Sequence, residues 1–401
     1  MTEDELSKEE RLAGVGRAFR PASPIDDEEL FAGRVAQRGD VVAAISETGL
    51  HVALYGERGV GKTSLVKVIS GRLDPYRKAL VNCQTDDTFG SIWMNVFRYL
   101  KIDSSGSLQT PEDIRFELQA LDGPAVIVID ELDRFEDDDA LTLMADTIKN
   151  LSDHAVPVTL ILVGVAHSIG ELIGEHESII RNLQQIEMPR MSYEELGSIL
   201  DNGVPLTKTA IEQDAKDRVI SLSEGLPHYT HLLGRGAFRN AIQEDRSVVT
   251  LDDVEKSITD AATGHALEAL YHTAVRSSQI TNLFKQVLLA CALAPTNHLG
   301  YFTSSDVRTP LSLILRREVT LPDFTRHLSE FQGDERGGIL VRVGASNSYS
   351  YRFSDPMLKP YVLMQSIREG IVTSEQVDSL RKGEAEMPGA APDGRLFDPD
   401  A

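Results

Sequence analysis

The octapeptide Gly56-Glu57-Arg58-Gly59-Val60-Gly61-Lys62-Thr63 fits the pattern GxxxxGK[ST], and it restricts what this chain can fold into more than any other stretch. Such a loop works only between a strand and a helix. The residues ahead of it, His51-Val-Ala-Leu-Tyr55, are short, apolar and β-branched enough for a buried strand. Those behind it carry Leu65, Val66 and Ile69 at helical spacing. The glycines let the backbone curl so that its N–H groups surround a phosphate at a helix N-terminus. Lys62 adds positive charge on the phosphates, and the Thr63 hydroxyl can ligate Mg²⁺. Gly56, Glu57, Arg58, Gly59, Val60, Gly61, Lys62, Thr63 and Ser64 are therefore the candidate contacts for ATP.

Strands and helices alternate through the first half of the chain. Residues 78–83, 124–130, 158–166 and 183–188 read as strands, several of them apolar without polar alternation. That pattern implies a parallel sheet covered on both faces. Thr110-Pro111-Glu112-Asp113 is a helix start, with Thr as N-cap and Pro at the first helical position. The run 124–130 ends in Asp130-Glu131, 68 residues after Lys62. A carboxylate at the tip of a strand beside the loop can hold Mg²⁺ through water. The next acid can orient and deprotonate the attacking water. Asp133 either completes this acidic set or caps the following turn.

From Ser192 the strands stop. Ser192-Tyr-Glu-Glu195 and Thr209-Ala-Ile-Glu212 have the capping-box pattern, and Thr250-Leu-Asp-Asp253 resembles it with Asp for Glu. Residues 192–270 read as a small helical domain. Beyond them come a helix through Phe284, Val287, Leu288 and Cys291, further helical segments to Phe331, and two alternating runs at 339–343 and 349–353 that form a hairpin. Helices followed by a hairpin are the winged-helix order. The expected domains are a flexible acidic arm (1–20), an α/β nucleotide-binding domain (21–191), a helical lid (192–270), a winged helix (271–370), and a short helix with a disordered tail (371–401).

At this point the sequence resembles the AAA+ ATPases, and within them the origin-recognition and replication-initiator (Orc/Cdc-like) branch and its bacterial relatives. Asp130-Glu-Leu-Asp133, the segment Phe31-Ala-Gly-Arg34, the helical lid and the hairpin-ended C-terminal region carry the resemblance over residues 20–370. It implies an α/β P-loop NTPase core with a parallel sheet, a helical lid and a C-terminal winged-helix domain. It also implies ATP and Mg²⁺ as cofactors, Glu131 as catalytic base, and Thr63 and Asp130 as metal ligands. After the strand 159–165 the family places a polar sensor, a slot held here by His167; a plain polar residue is the alternative. Arg181 resembles the arginine finger that reaches a neighbouring subunit's nucleotide, against the alternative of an ordinary surface arginine. Gly225-Leu-Pro-His228 resembles the lid motif Gly-x-Pro-Arg with histidine in place of arginine, which offers shorter reach and a charge that titrates near neutrality; His228 is either a nucleotide sensor or a satisfied helix-start residue.

Charge decides less than the motifs do. The formal net charge of −22 argues against a generalised nucleic-acid binder. Residues 276–369, however, hold 11 Lys and Arg against 8 Asp and Glu, leaving −25 on the rest. In that segment Arg326, Arg342 and Arg352 are the candidate phosphate contacts for double-stranded DNA, with both hairpin arginines expected on one solvent face. Two functions follow. One is a DNA-associated ATPase that assembles as a homo-oligomer on binding ATP. The other is a nucleotide-switched signalling or defence ATPase whose winged helix binds a protein partner. No apolar run reaches the ~18 residues a membrane span needs, and the acidic N-terminus is unlike a signal peptide, so a cytoplasmic protein is expected. Cys83 and Cys291 are expected to be buried, inert thiols.

Overall fold

The computed structural model describes residues 6–103, 108–134, 137–166, 177–262, 267–277, 282–297, 300–344 and 349–382. The chain divides into two compact units, residues 1–208 with 225–231, and residues 209–224 with 232–401.

The first unit is built on five parallel strands: β1 (His51–Gly56), β2 (Arg77–Asn82), β3 (Ala125–Asp130), β4 (Val158–Val165) and β5 (Leu183–Glu187). Their order is β2-β3-β4-β1-β5. β3 is buried at every position and β4 at all but its last, because helices cover both faces. Helix α1 (Lys8–Ala18) precedes α2 (Val35–Ile45), and α3 (Lys62–Gly71) follows the glycine-rich loop. α4 (Phe89–Leu100) packs on β2, burying Phe89, Trp93 and Phe97 on one face with ring centroids 6.2 and 6.0 Å apart. The expected start at Thr110 is realised in α5 (Pro111–Gln119), and α6 (Asp138–Asp153) completes that layer. Ser192 and Glu195 close a capping box on α7 (Tyr193–Asp201).

The N-terminal segment differs from the flexible arm that the sequence suggests. Ser7 and Glu10 form a reciprocal capping box on α1, and Val15, Ala18 and Phe19 are buried. α1 lies against α8 (Gly203–Thr207) so closely that a Cβ on Gly14 would come within 2.2 Å of the Leu206 carbonyl oxygen. Arg11 Nε donates to the Thr207 carbonyl at 3.1 Å. Charged residues on the outer face obscure this apolar stripe in the sequence.

The second unit begins with β6 (Ala210–Ile211), which pairs with β7 (Val248–Val249) in a parallel bridge. The capping box expected at Thr209–Glu212 is thus absent. Those residues are extended, and α9 (Gln213–Ser223) starts after Glu212. α10 (Pro227–Gln243), whose residues from 232 on belong to this unit, and α11 (Leu251–Ala261) follow, the latter with the expected Thr250–Asp253 box. Then come α12 (Leu267–Val275), α13 (Phe284–Leu293), α14 (Ser304–Leu315) and α15 (Thr325–Glu330). A three-stranded antiparallel sheet has the order β8 (Phe302–Thr303), β10 (Ser350–Phe353), β9 (Leu340–Val343). α16 (Leu358–Arg368) and α17 (Ser374–Lys382) end the described chain, α17 being tied down by Ser221–Asp378 and Ser374–Glu255 hydrogen bonds of 3.0 and 2.7 Å.

The hairpin register corrects one expectation. Arg342 pairs with Tyr351 and Arg352 with Val341, so the two arginines lie on opposite faces of the sheet. Tyr351, Phe353 and Leu340 make the buried face, with Arg342 at its end stacked 4.2 Å from the Tyr349 ring. Arg352 lies on the other face, over the Tyr301 ring at 5.2 Å.

Both cysteines are buried free thiols, and burial pushes the Cys83 thiol up to about 12. No helix among the described residues is long and apolar enough to cross a membrane. His51, the first residue of β1, is fully buried, and its Nδ1 accepts the Leu160 N–H at 2.9 Å. Burial lowers its pKa to about 4. The unfolded chain therefore takes up a proton between about pH 6.5 and 4 that the folded core refuses, and stability falls as pH falls through that window. Comparing urea midpoints at pH 7 and pH 5, His51→Gln should lose about 2 kcal/mol less on acidification than the parent.

Candidate nucleotide site

The parallel register sets the C-terminal tips of β1 and β3 at one edge of the sheet, with β4 between them. Open α/β sheets bind ligands at this edge. β1 delivers the loop of residues 56–63 there, and β3 delivers Asp130 and Glu131. Gly56 has φ +150°, and a Cβ on it would lie 2.5 Å from the Met188 carbonyl oxygen, so no other residue fits that step. Gly61, at φ +98°, turns the loop into α3.

Lys62 is buried, and its Nζ donates to the carbonyls of Gly56 and Glu57 at 2.9 and 2.8 Å. Burial lowers its pKa to about 8, while Asp133, Asp130 and Glu57 hold it up, so the amine stays charged at neutral pH. The Thr63 hydroxyl donates to Asp130 Oδ2 at 2.7 Å. The other oxygen of Asp130 accepts the Glu131 N–H at 2.8 Å. Glu131 itself has φ +58°, an unusual conformation for a residue with a Cβ and one that clusters at functional sites. Its carboxylate is half exposed and 3.1 Å from Arg134. A cavity of about 510 Å³, lined in part by Asn82, Gln84, Asp86, Glu131 and Arg134, opens beside it.

The loop's frame comes from residues far away in sequence. Arg34, buried at a left-handed position, donates from Nη2 to the Val60 and Pro189 carbonyls at 3.0 and 2.7 Å. Its backbone N–H donates to Glu195 at 2.8 Å. Burial lowers the guanidinium's pKa and Glu195 opposes that shift. Arg190 Nε pairs with Glu57 Oε2 at 2.7 Å. Asp133 accepts the Val165 N–H at 2.7 Å, tying the end of β4 to the turn after β3. Sequence reasoning singled out Arg34 only as part of a resemblance and missed Arg190; no local pattern marks either.

The remaining expected residues are less close-knit. Arg181 lies in the 3₁₀ turn Glu177–Asn182, is 73% exposed, and meets Asp153 at 3.9 Å. His228 turns its Nδ1 to the Pro21 carbonyl at 3.0 Å. The neighbouring Pro227 comes within 3.9 Å of the position a Cβ on Gly61 would take. His167 lies outside the described residues.

This donor set fits a nucleotide with its cation. The cradle is glycine-walled, a buried amine sits at its mouth, and a hydroxyl and a carboxylate are 2.7 Å apart at the helix start.

Residues 45–173 match the family described as AAA domain. The chain is 26% identical over 252 residues to the ORC1-type DNA replication protein 8 of Halobacterium salinarum. That match covers 55% of this chain and 62% of the relative, so it spans about three fifths of the relative's length. Among solved structures, the chain is similar to the Walker-type ATPase of Pyrococcus abyssi, with a TM-score of 0.53 and 16% identity over 85% of this chain and 99% of that one. It is also similar to Cdc6p from Pyrobaculum aerophilum, with a TM-score of 0.50 and 15% identity over 89% and 99%. Residues 45–173 thus match an AAA domain, and the fold of the chain is similar to that of Cdc6p.

Proposed function

We propose that this chain is a Mg²⁺-dependent ATPase of Orc/Cdc6 type, whose nucleotide state governs self-association and whose second unit contacts double-stranded DNA. The observation that carries the proposal is the Thr63–Asp130 hydrogen bond of 2.7 Å with Glu131 next in chain. Thr63 and Asp130 would hold the cation, whose chemistry is to neutralise charge on the phosphates. Backbone N–H groups of the loop and Lys62 bind and orient the phosphates. Glu131 orients the water and accepts its proton. Arg181 serves a neighbouring protomer's nucleotide in this reading, supported by its 73% exposed side chain and its weak 3.9 Å contact with Asp153.

Support for a winged helix in the second unit is the succession α13, α14, α15 and the antiparallel sheet β8-β10-β9. The DNA reading draws on the ORC1-type relative. One observation favours the second reading, a signalling or defence ATPase with a protein partner. Val341 and Val343, 37% and 40% exposed, share the sheet face of Arg352, and an apolar surface of that kind suits a protein. Arg326, moreover, is held by Glu330 at 2.7 Å.

Three outcomes are expected. Lys62→Ala should lose nucleotide binding, while Glu131→Gln should bind ATP and turn over at least a hundredfold more slowly in a phosphate-release assay; parental turnover in Glu131→Gln would remove the assignment of the base. Arg181→Ala should keep ATP affinity yet lose turnover, and mixing it with Lys62→Ala protein should restore activity, because each supplies the half the other lacks. No restoration, with activity independent of protein concentration, would show that no site is shared. Fluorescence anisotropy over a salt series should give a slope of log affinity against log salt of about −2 per protomer, since arginines on opposite sheet faces do not both reach one duplex. No DNA binding at low salt in any nucleotide state leaves the protein-partner reading.

A further inference from the structure

Glu57 is the one carboxylate within the phosphate loop, and its charge has the same sign as the ligand the loop is built to receive. Its side chain is only 15% exposed, so solvent does little to screen it. The compensating charge comes from Arg190, 30% exposed, whose Nε lies 2.7 Å from Glu57 Oε2. Arg190 is placed by its neighbours on both sides. The Pro189 carbonyl accepts from Arg34 at 2.7 Å, and the Met191 N–H donates to the Gly225 carbonyl at 2.8 Å. A Cβ on Gly225 would come within 2.7 Å of the Arg190 Cβ, so Gly225 lets the arginine's own stem pass against the backbone. The Glu57 carbonyl meanwhile accepts from Lys62 Nζ at 2.8 Å. One residue thus joins two cations, Lys62 through its main chain and Arg190 through its side chain.

We infer that Arg190 is a positioning residue for nucleotide binding: it neutralises Glu57 and holds that carboxylate off the phosphate cradle. This rests on the nucleotide reading of the site given above. The penalty of an unneutralised Glu57 grows with the number of phosphate charges, so it falls harder on ATP than on ADP. A merely structural role for Arg190 would weaken both alike.

The test is equilibrium titration of the full chain with mant-ATP and mant-ADP, with thermal melts as a check on folding. Arg190→Gln should weaken mant-ATP about tenfold, between what exposed and buried ion pairs yield, and mant-ADP by less. Adding Glu57→Gln in that background should restore mant-ATP affinity to within about twofold of the parent, because the repelling charge is gone. Arg190→Lys, which keeps the charge, should bind close to the parent. Parental affinity in Arg190→Gln, or a loss that persists in the double variant, overturns the inference. Should Arg190→Gln not fold, Glu57→Gln alone decides: affinity equal to or above the parent is expected, and a tenfold loss overturns it. Failure of the underlying reading looks different, because then the parent binds neither nucleotide or Lys62→Ala binds as the parent does.

Discussion

A buried ammonium group organises the first unit. Lys62 cannot sit at the edge of an apolar sheet without oxygen atoms around it. The loop supplies two of them from its own carbonyls, which forces the backbone into conformations that glycine tolerates. Nearby carboxylates complete the balance, and each is fixed by another demand: Asp130 by the end of β3, Asp133 by the N–H of Val165, Glu57 by the loop itself. Removing the lysine charge would leave those acids facing one another. The site is therefore a balance of charges before any ligand enters it.

Much of this was legible because it is local. A strand, a glycine-rich turn and a helix are contiguous in sequence, and so is a run of apolar residues ending in Asp130-Glu131. Capping boxes at Ser192 and Thr250 could be read because their partners are three residues apart. What escaped has partners far off. Arg34 serves Val60, Pro189 and Glu195, and Arg190 meets Glu57 across 133 residues. Helix α1 was missed for a different reason: besides Gly14, Val15, Ala18 and Phe19 are the residues that reach the interior, too short an apolar stripe to stand out in a charged segment.

The hairpin shows how a correct element can carry a wrong face. Alternation along each strand was right, and the strands formed where expected. Which residue of one strand opposes which of the other depends on how the connection closes, and sequence alternation does not contain that information. With Ser350 opposite Val343, even-numbered residues of one strand meet odd-numbered residues of the other. Two arginines of equal parity then diverge. The basic face imagined from the sequence becomes one arginine among aromatic rings and another beside exposed valines, which changes what kind of surface the unit offers.

Trp93 is the chain's one tryptophan, fully buried in α4 between Phe89 and Phe97. Its emission therefore reports on the first unit alone, whereas far-ultraviolet circular dichroism sums the helices of both. If the two units melt separately, the optical transitions will not coincide, and the chain behaves as two cooperative bodies. A single indole thus serves as a natural label for the half of the molecule that holds the phosphate loop.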